Sequence, residues 1–160
     1  MIKKKDRKIL QSTAEIRFSA MNLLARREHS RLELVRKLQQ RVDDKALLDE
    51  ALDRLIEDNL LDEERFCEAF VRMRANGGYG PIRVRAELKE RGVCDELISR
   101  YITLHEADWP KQVIAVFEKK YGLNADADAK IRASQQRFLA QRGFSFEQIK
   151  LAFSQCHKIT

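Results

Sequence analysis

A four-residue pattern, Leu-x-x-Arg, returns in this chain at a nearly constant interval. It reads Leu38-Gln39-Gln40-Arg41, Leu88-Lys89-Glu90-Arg91 and Leu139-Ala140-Gln141-Arg142, with steps of 50 and 51 residues. In the second and third copies a glycine follows (Gly92, Gly143), then an apolar residue (Val93, Phe144), then an amphipathic stretch; the first copy has Val42-Asp43-Asp44 there. Such a period is the mark of one supersecondary unit copied along the chain. A unit of that size cannot bury its own apolar face, so neighbouring copies must stack.

The units read as helical. With 2 prolines and 6 glycines in 160 residues, the chain lacks the turn residues that a β-sandwich or barrel consumes. Ala, Leu, Glu, Lys, Arg and Gln dominate, and these are helix formers. Helix starts are marked by Ser12-Thr13-Ala14-Glu15, Ser30-Arg31-Leu32-Glu33 and Ser145-Phe146-Glu147-Gln148, where a serine caps an orphan N–H and the fourth residue reaches back. Pro81 after Gly80 suits a first helical turn, and Gly77, Gly92, Gly122 and Gly143 suit helix ends. These signals predict nine helices near 13–27, 31–41, 45–59, 63–75, 81–91, 95–105, 109–121, 128–142 and 146–156. The expected fold is all-α: three tandem three-helix repeats in an elongated, curved array. A basic tail occupies 1–11, and the repeats occupy 12–60, 61–106 and 107–160. Leu47, Leu48, Ala51, Leu52, Leu55 and Ile56 lie on one helical face, as do Phe66, Phe70 and Met73; both stripes read as core.

Charge is sorted along the chain. Residues 1–41 carry +8, 42–68 carry −8, 69–92 carry +4, 93–109 carry −3 and 110–160 carry +5, for a net +6. The acidic block has a plain reading as the neutraliser of basic helices beside it, whereas the basic blocks favour anionic partners. Cys67, Cys94 and Cys156 show no metal or disulfide spacing and read as buried or idle thiols of a reducing cytoplasm. Met1-Ile2-Lys3-Lys4-Lys5 is followed by no apolar secretory core, and no apolar run approaches the roughly 18 residues of a membrane span. A soluble, cytoplasmic protein is expected, with no membrane partner, acting as a monomer.

Catalytic signatures are missing. Gly78-Tyr79-Gly80 has no third glycine and follows a helix, there is no phosphate-binding lysine loop, and His29, His105 and His157 stand apart from any nucleophile. His29, just ahead of the Ser30 cap, reads as a turn residue. No catalytic, cofactor or metal site is expected.

The densest cationic cluster is Arg72, Arg74, Tyr79, Arg83, Arg85 and Lys89, wrapped around a Gly-Gly-Tyr-Gly turn. Arginine forks match carboxylate or phosphate, and an adjacent tyrosine offers a stacking face; the alternative is that Tyr79 buries its ring against the bundle. Arg85 aligns with Val35 of the first copy, within an apolar stripe of Ile82, Val84 and Leu88. It therefore needs a partner, Glu87, Glu68 or a neighbour, or else this face lines an open groove. Arg26, Arg27, Arg31, Arg36 and Lys37 form the corresponding basic set of the first repeat.

Leu60-Leu61-Asp62-Glu63-Glu64-Arg65-Phe66, then Gly78-Tyr79-Gly80-Pro81-Ile82-Arg83-Val84-Arg85-Ala86-Glu87-Leu88 and Gly92-Val93, closely resemble the RecX regulatory proteins of bacteria. Arg26-Arg27-Glu28-His29-Ser30 with Glu33-Leu34 is similar to the family's first repeat; Arg137-Phe138-Leu139 and Arg142-Gly143-Phe144 carry a weaker likeness in the third. The resemblance covers about residues 15–155. It implies tandem three-helix repeats and a non-enzymatic regulator that needs no cofactor. The implied action is to bind the RecA filament on single-stranded DNA, lodge in its groove and suppress strand exchange and ATP hydrolysis. The family supplies no residue set to transfer, so the candidate contacts rest on charge and turn geometry. The rival reading is a stand-alone helical module that binds single-stranded or duplex DNA through its phosphates.

Overall fold

The computed structural model describes residues 7–122 and 128–156; the Met1–Lys5 run and His157 lie outside them. Among the described residues there are nine α-helices and no strand: α1 (Thr13–Leu24), α2 (Arg31–Leu38), α3 (Lys45–Glu57), α4 (Glu63–Asn76), α5 (Pro81–Glu90), α6 (Asp95–Leu104), α7 (Trp109–Tyr121), α8 (Ala129–Gln141) and α9 (Phe146–Cys156). A 3₁₀ turn, Gln39–Arg41, prolongs α2. The helices α3, α6 and α9 begin at Lys45, Asp95 and Phe146, in step with the sequence period. The chain divides into two compact units, residues 1–66 and 67–160. No described helix is long and apolar enough to cross a membrane.

In the first unit, Ser12 caps α1 and Ser30 caps α2, the latter in a complete reciprocal box with Glu33. At α1 the box is half made: the Ser12 hydroxyl accepts from the Glu15 N–H, but the Glu15 carboxylate accepts from Gln11 instead. Helix α1 stops at Leu24, three residues short of its predicted end, where the Ala25 and Arg26 amides turn back onto Met21 and Leu23. The core gathers Ile16, Ala20, Leu34, Leu38, Leu48, Leu52, Leu55 and Leu61. Burying each of the larger side chains contributes about 1.5–3 kcal/mol. Ile56, read as part of that stripe, is instead 43% exposed. It lies on the edge of the α3 stripe that Leu48, Ala51, Leu52 and Leu55 turn inward.

His29 is buried at the entry to α2. Its Nδ1 lies 3.0 Å from the Arg27 carbonyl and its Nε2 lies 3.1 Å from Lys37 Nζ. An ammonium only donates, so Nε2 accepts and the ring proton sits on Nδ1, donating to the carbonyl. Burial lowers the His29 pKa, and the charges of Arg27 and Lys37 reinforce the shift against the backbone bond that opposes it. The unfolded chain binds a proton near pH 6.5, whereas the folded chain does so only at lower pH. Stability is therefore expected to fall as pH drops below about 6.5. Denaturant titrations from pH 7.5 to 5.5 should reveal this slope, and His29→Gln should flatten it.

In the second unit, Ser145 and Gln148 form another complete capping box. Val113, Phe117, Leu139, Phe144, Ile149, Ala152 and Cys156 make the core joining α7, α8 and α9. The Phe117 and Phe153 rings meet edge to face at 5.6 Å. The Trp109 indole donates to the Ile102 carbonyl, fixing the start of α7 against α6. Met73, predicted as core with Phe66 and Phe70, is 54% exposed, and Ile82 is likewise at the surface. Cys67 and Cys156 are buried, Cys94 is exposed, and none of the three is in a disulfide.

Candidate functional site

The α4–α5 turn is held by glycine. The Gly80 amide donates to the Arg142 carbonyl at 2.8 Å and the Ile82 amide donates to the Gly143 carbonyl at 3.0 Å. Pro81, which has no amide hydrogen, sits between them at the first turn of α5. The α8–α9 turn thus satisfies a free N–H of the α5 N-terminus. The approach is so close that a Cβ on Gly80 would lie 2.4 Å from the Gly143 carbonyl, and one on Gly143 would lie 2.3 Å from Arg83 Cβ.

This contact assembles a cationic cluster from both turns. Tyr79 is half-buried, and the guanidinium carbons of Arg74, Arg83 and Arg142 lie 3.8, 4.6 and 4.7 Å from its ring centroid. The ring is therefore an arginine platform as well as a turn residue. One carboxylate serves the group. Glu87 accepts from Arg74 Nε at 2.7 Å and from Arg74 Nη2, and also from Arg83 Nε at 3.0 Å. Burial pushes the Glu87 carboxyl up, but the hydrogen bonds and charges of Arg74 and Arg83 outweigh it and hold the group below its ordinary value. Three guanidiniums against one carboxylate leave a surplus of positive charge. Arg142 also donates to the Gly77 carbonyl at 3.4 Å.

The remaining candidates separate. Arg85 pairs with neither Glu87 nor Glu68; it donates to the Ser99 hydroxyl at 3.1 Å, since side chains two apart on a helix, as Arg85 and Glu87 are, do not face each other. Arg72 is exposed, and Lys89 lies 3.0 Å from Asp95. In the first unit Arg27 pairs with Glu33, Arg31 pairs with Asp49 and Asp53, and Lys37 contacts His29, while Arg26 and Arg36 are exposed. Part of the acidic block thus neutralises arginines of its own unit, as the plain reading of that block held. The sequence reading placed Arg142 in the repeat motif but not in the site. Its signals are the third Leu-x-x-Arg and the family likeness of Arg142-Gly143-Phe144, and neither announces a tyrosine over 60 residues upstream.

The profile of the RecX second three-helix domain matches residues 62–101, and that of the RecX third three-helix domain matches residues 110–153. The regulatory protein RecX of Pseudomonas entomophila is 46% identical over 141 residues, spanning 88% of this chain and 91% of that protein. The chain belongs to the RecX family. It is accordingly a regulatory, non-enzymatic protein and a modulator of RecA. The RecX of Pseudomonas fluorescens is 44% identical over 146 residues, covering 91% of this chain and 94% of that one. The crystal structure of RecX from Lactobacillus salivarius superposes with a TM-score of 0.78 at 19% identity, over 92% of this chain and 97% of that one. At that identity the likeness speaks for the RecX fold alone. Within this RecX chain the Tyr79 cluster falls across both matched domains, with Arg74, Tyr79 and Arg83 in the second and Arg142 in the third.

Proposed function

We propose that this chain binds the RecA filament on single-stranded DNA through the cationic face around the α4–α5 turn and suppresses its strand exchange and ATP hydrolysis. The observation that carries the reading is the charge surplus of the Tyr79 cluster. Arg74, Arg83 and Arg142 converge on one ring, and the single carboxylate of Glu87 pairs with Arg74 and Arg83. Arg74 is held by two bonds to Glu87 and keeps 22% of its side chain exposed. Arg83 keeps 43% of its side chain exposed, and Arg85 has only a neutral hydroxyl as partner. Arg83, although paired with Glu87, and Arg85, with exposed Arg72, are the groups placed to meet carboxylate or phosphate.

RecA-dependent ATP hydrolysis on single-stranded DNA tests the reading. Stoichiometric chain should inhibit it, and Arg83→Glu with Arg85→Glu should raise the concentration for half-inhibition about tenfold, since like charges across an interface are strongly disfavoured. Unchanged inhibition by a variant folded by circular dichroism would sink the assignment of this face. The phosphate-only alternative differs in its salt response: neutralising about six phosphates costs roughly a thousandfold in affinity between 50 and 200 mM salt. A contact made mostly with protein loses much less.

A further inference from the structure

Arg142 also lines an open cleft of about 390 Å³ in the second unit, between α7, α8 and the turn after α4. Its volume lies in the range of about 300–1,000 Å³ typical of small-ligand pockets. Three cations line it, Lys119, Lys120 and Arg142, with apolar walls from Val116 and Phe138 and the side-chain amide of Gln112. No carboxylate is among the lining residues. The one acid on α7, Glu118, acts electrostatically on Cys156, and neither lysine is within ion-pair distance of a described carboxylate. The Phe138 ring is braced edge-on by Tyr121 at 5.8 Å, and Lys120 Nζ rests 3.5 Å from its centroid.

We infer that this cleft is a subsite for one nucleotide of a single-stranded nucleic acid, with the base stacked on Phe138 and the phosphate held by Lys119 and Arg142. A plain anion would need the cations but not the aromatic floor, and an apolar ligand would need the floor but not three cations in a lining that holds no carboxylate. A base joined to a phosphodiester uses both. Lys120 already occupies the ring face as a cation would, and its flexible stem lets it move to the phosphate when a base replaces it. Stacking platforms flanked by positive charge are the general solution for single strands, whose bases are free to leave their neighbours. Duplex DNA keeps its bases paired and stacked and offers no free base face to the ring.

The test is fluorescence anisotropy of a labelled oligothymidylate with the full chain at low salt, without RecA, so that its failure leaves the proposed action on the filament standing. Lys119→Gln with Lys120→Gln should weaken binding at least tenfold and reduce the slope of log affinity against log salt by about 1.4. Phe138→Leu, which keeps apolar volume but loses the ring, should weaken it about tenfold. Lys150→Glu, on α9 outside the cleft, should change it less than threefold. Wild-type affinity in the Phe138 variant, folded by circular dichroism, would overturn the subsite. So would equal competition by unlabelled duplex or polyglutamate, or the same loss from Lys150→Glu as from the lysine pair.

Discussion

Gly143→Ala is expected to lower the unfolding free energy by about 4 kcal/mol in denaturant titrations followed by circular dichroism. Two costs combine. Gly143 has φ +93, a left-handed conformation worth roughly 1–2 kcal/mol to any residue with a Cβ. That Cβ would also sit 2.6 Å from the backbone nitrogen of Arg83. Backbone cannot swing aside as the end of a side chain can, so overpacking adds about 1–3 kcal/mol, and the bonds to the Gly80 and Ile82 amides lengthen. Two companion variants separate these costs. Gly80 has φ −88, an ordinary conformation, but its Cβ would meet the Gly143 carbonyl; Gly80→Ala should cost about 2–3 kcal/mol from contact alone. Gly122 has φ +78 with nothing within 4 Å of its Cβ; Gly122→Ala should cost about 1–2 kcal/mol from conformation alone. The double variant at 80 and 143 should cost less than the sum, because both substitutions break one contact. A Gly143→Ala variant no less stable than Gly122→Ala would refute the close approach.

Glu87→Gln is expected to cost about 2–3 kcal/mol at pH 7. Its carboxylate and the Arg74 guanidinium keep only 15% and 22% of their side chains exposed, so solvent does little to screen the pair. Removing the charge leaves Arg74, Arg83 and Arg142 facing one another around Tyr79 without a counter-ion, the costly way to break an ion pair. Replacing Arg74 with Met in the same chain should recover part of the loss, which a double-mutant cycle measures. The pH dependence follows from the lowered pKa of Glu87. Its stabilisation is present above the ordinary glutamate value near 4.5 and is lost as pH falls through the lower folded value. In thermal melts between pH 6 and 3, the gap between wild type and Glu87→Gln should close toward the acid end. A gap that stayed constant would mean that Glu87 acts through packing rather than charge.

The first-unit arginines illustrate why charge counting alone overstates a binding surface. Residues 1–41 carry +8, yet Arg27 and Arg31 are engaged by Glu33, Asp49 and Asp53. An arginine at helical spacing reads the same whether it faces a carboxylate of the same unit or a partner. Met73, Ile56 and Ile82 fail for a related reason. Periodicity assigns a face, but it does not say how wide a stripe the neighbouring helices cover, and residues at its edge stay exposed.

Helix positions, caps and the 50-residue period were legible in the chain because they depend on contacts a few residues apart. Serine caps, helix-ending glycines and apolar steps of three and four act through the local backbone, and the Leu-x-x-Arg copies merely repeat them. The meeting of Gly80 with Gly143, the sharing of Glu87 and the placing of Arg142 beside Tyr79 were decided only by tertiary structure. Glu87 takes Arg83 at the helical i,i+4 spacing but reaches Arg74 on another helix. The Gly80–Gly143 and Tyr79–Arg142 contacts join groups more than 60 residues apart, a distance at which no spacing rule operates and only the packing of α5 against the α8–α9 turn selects the partner.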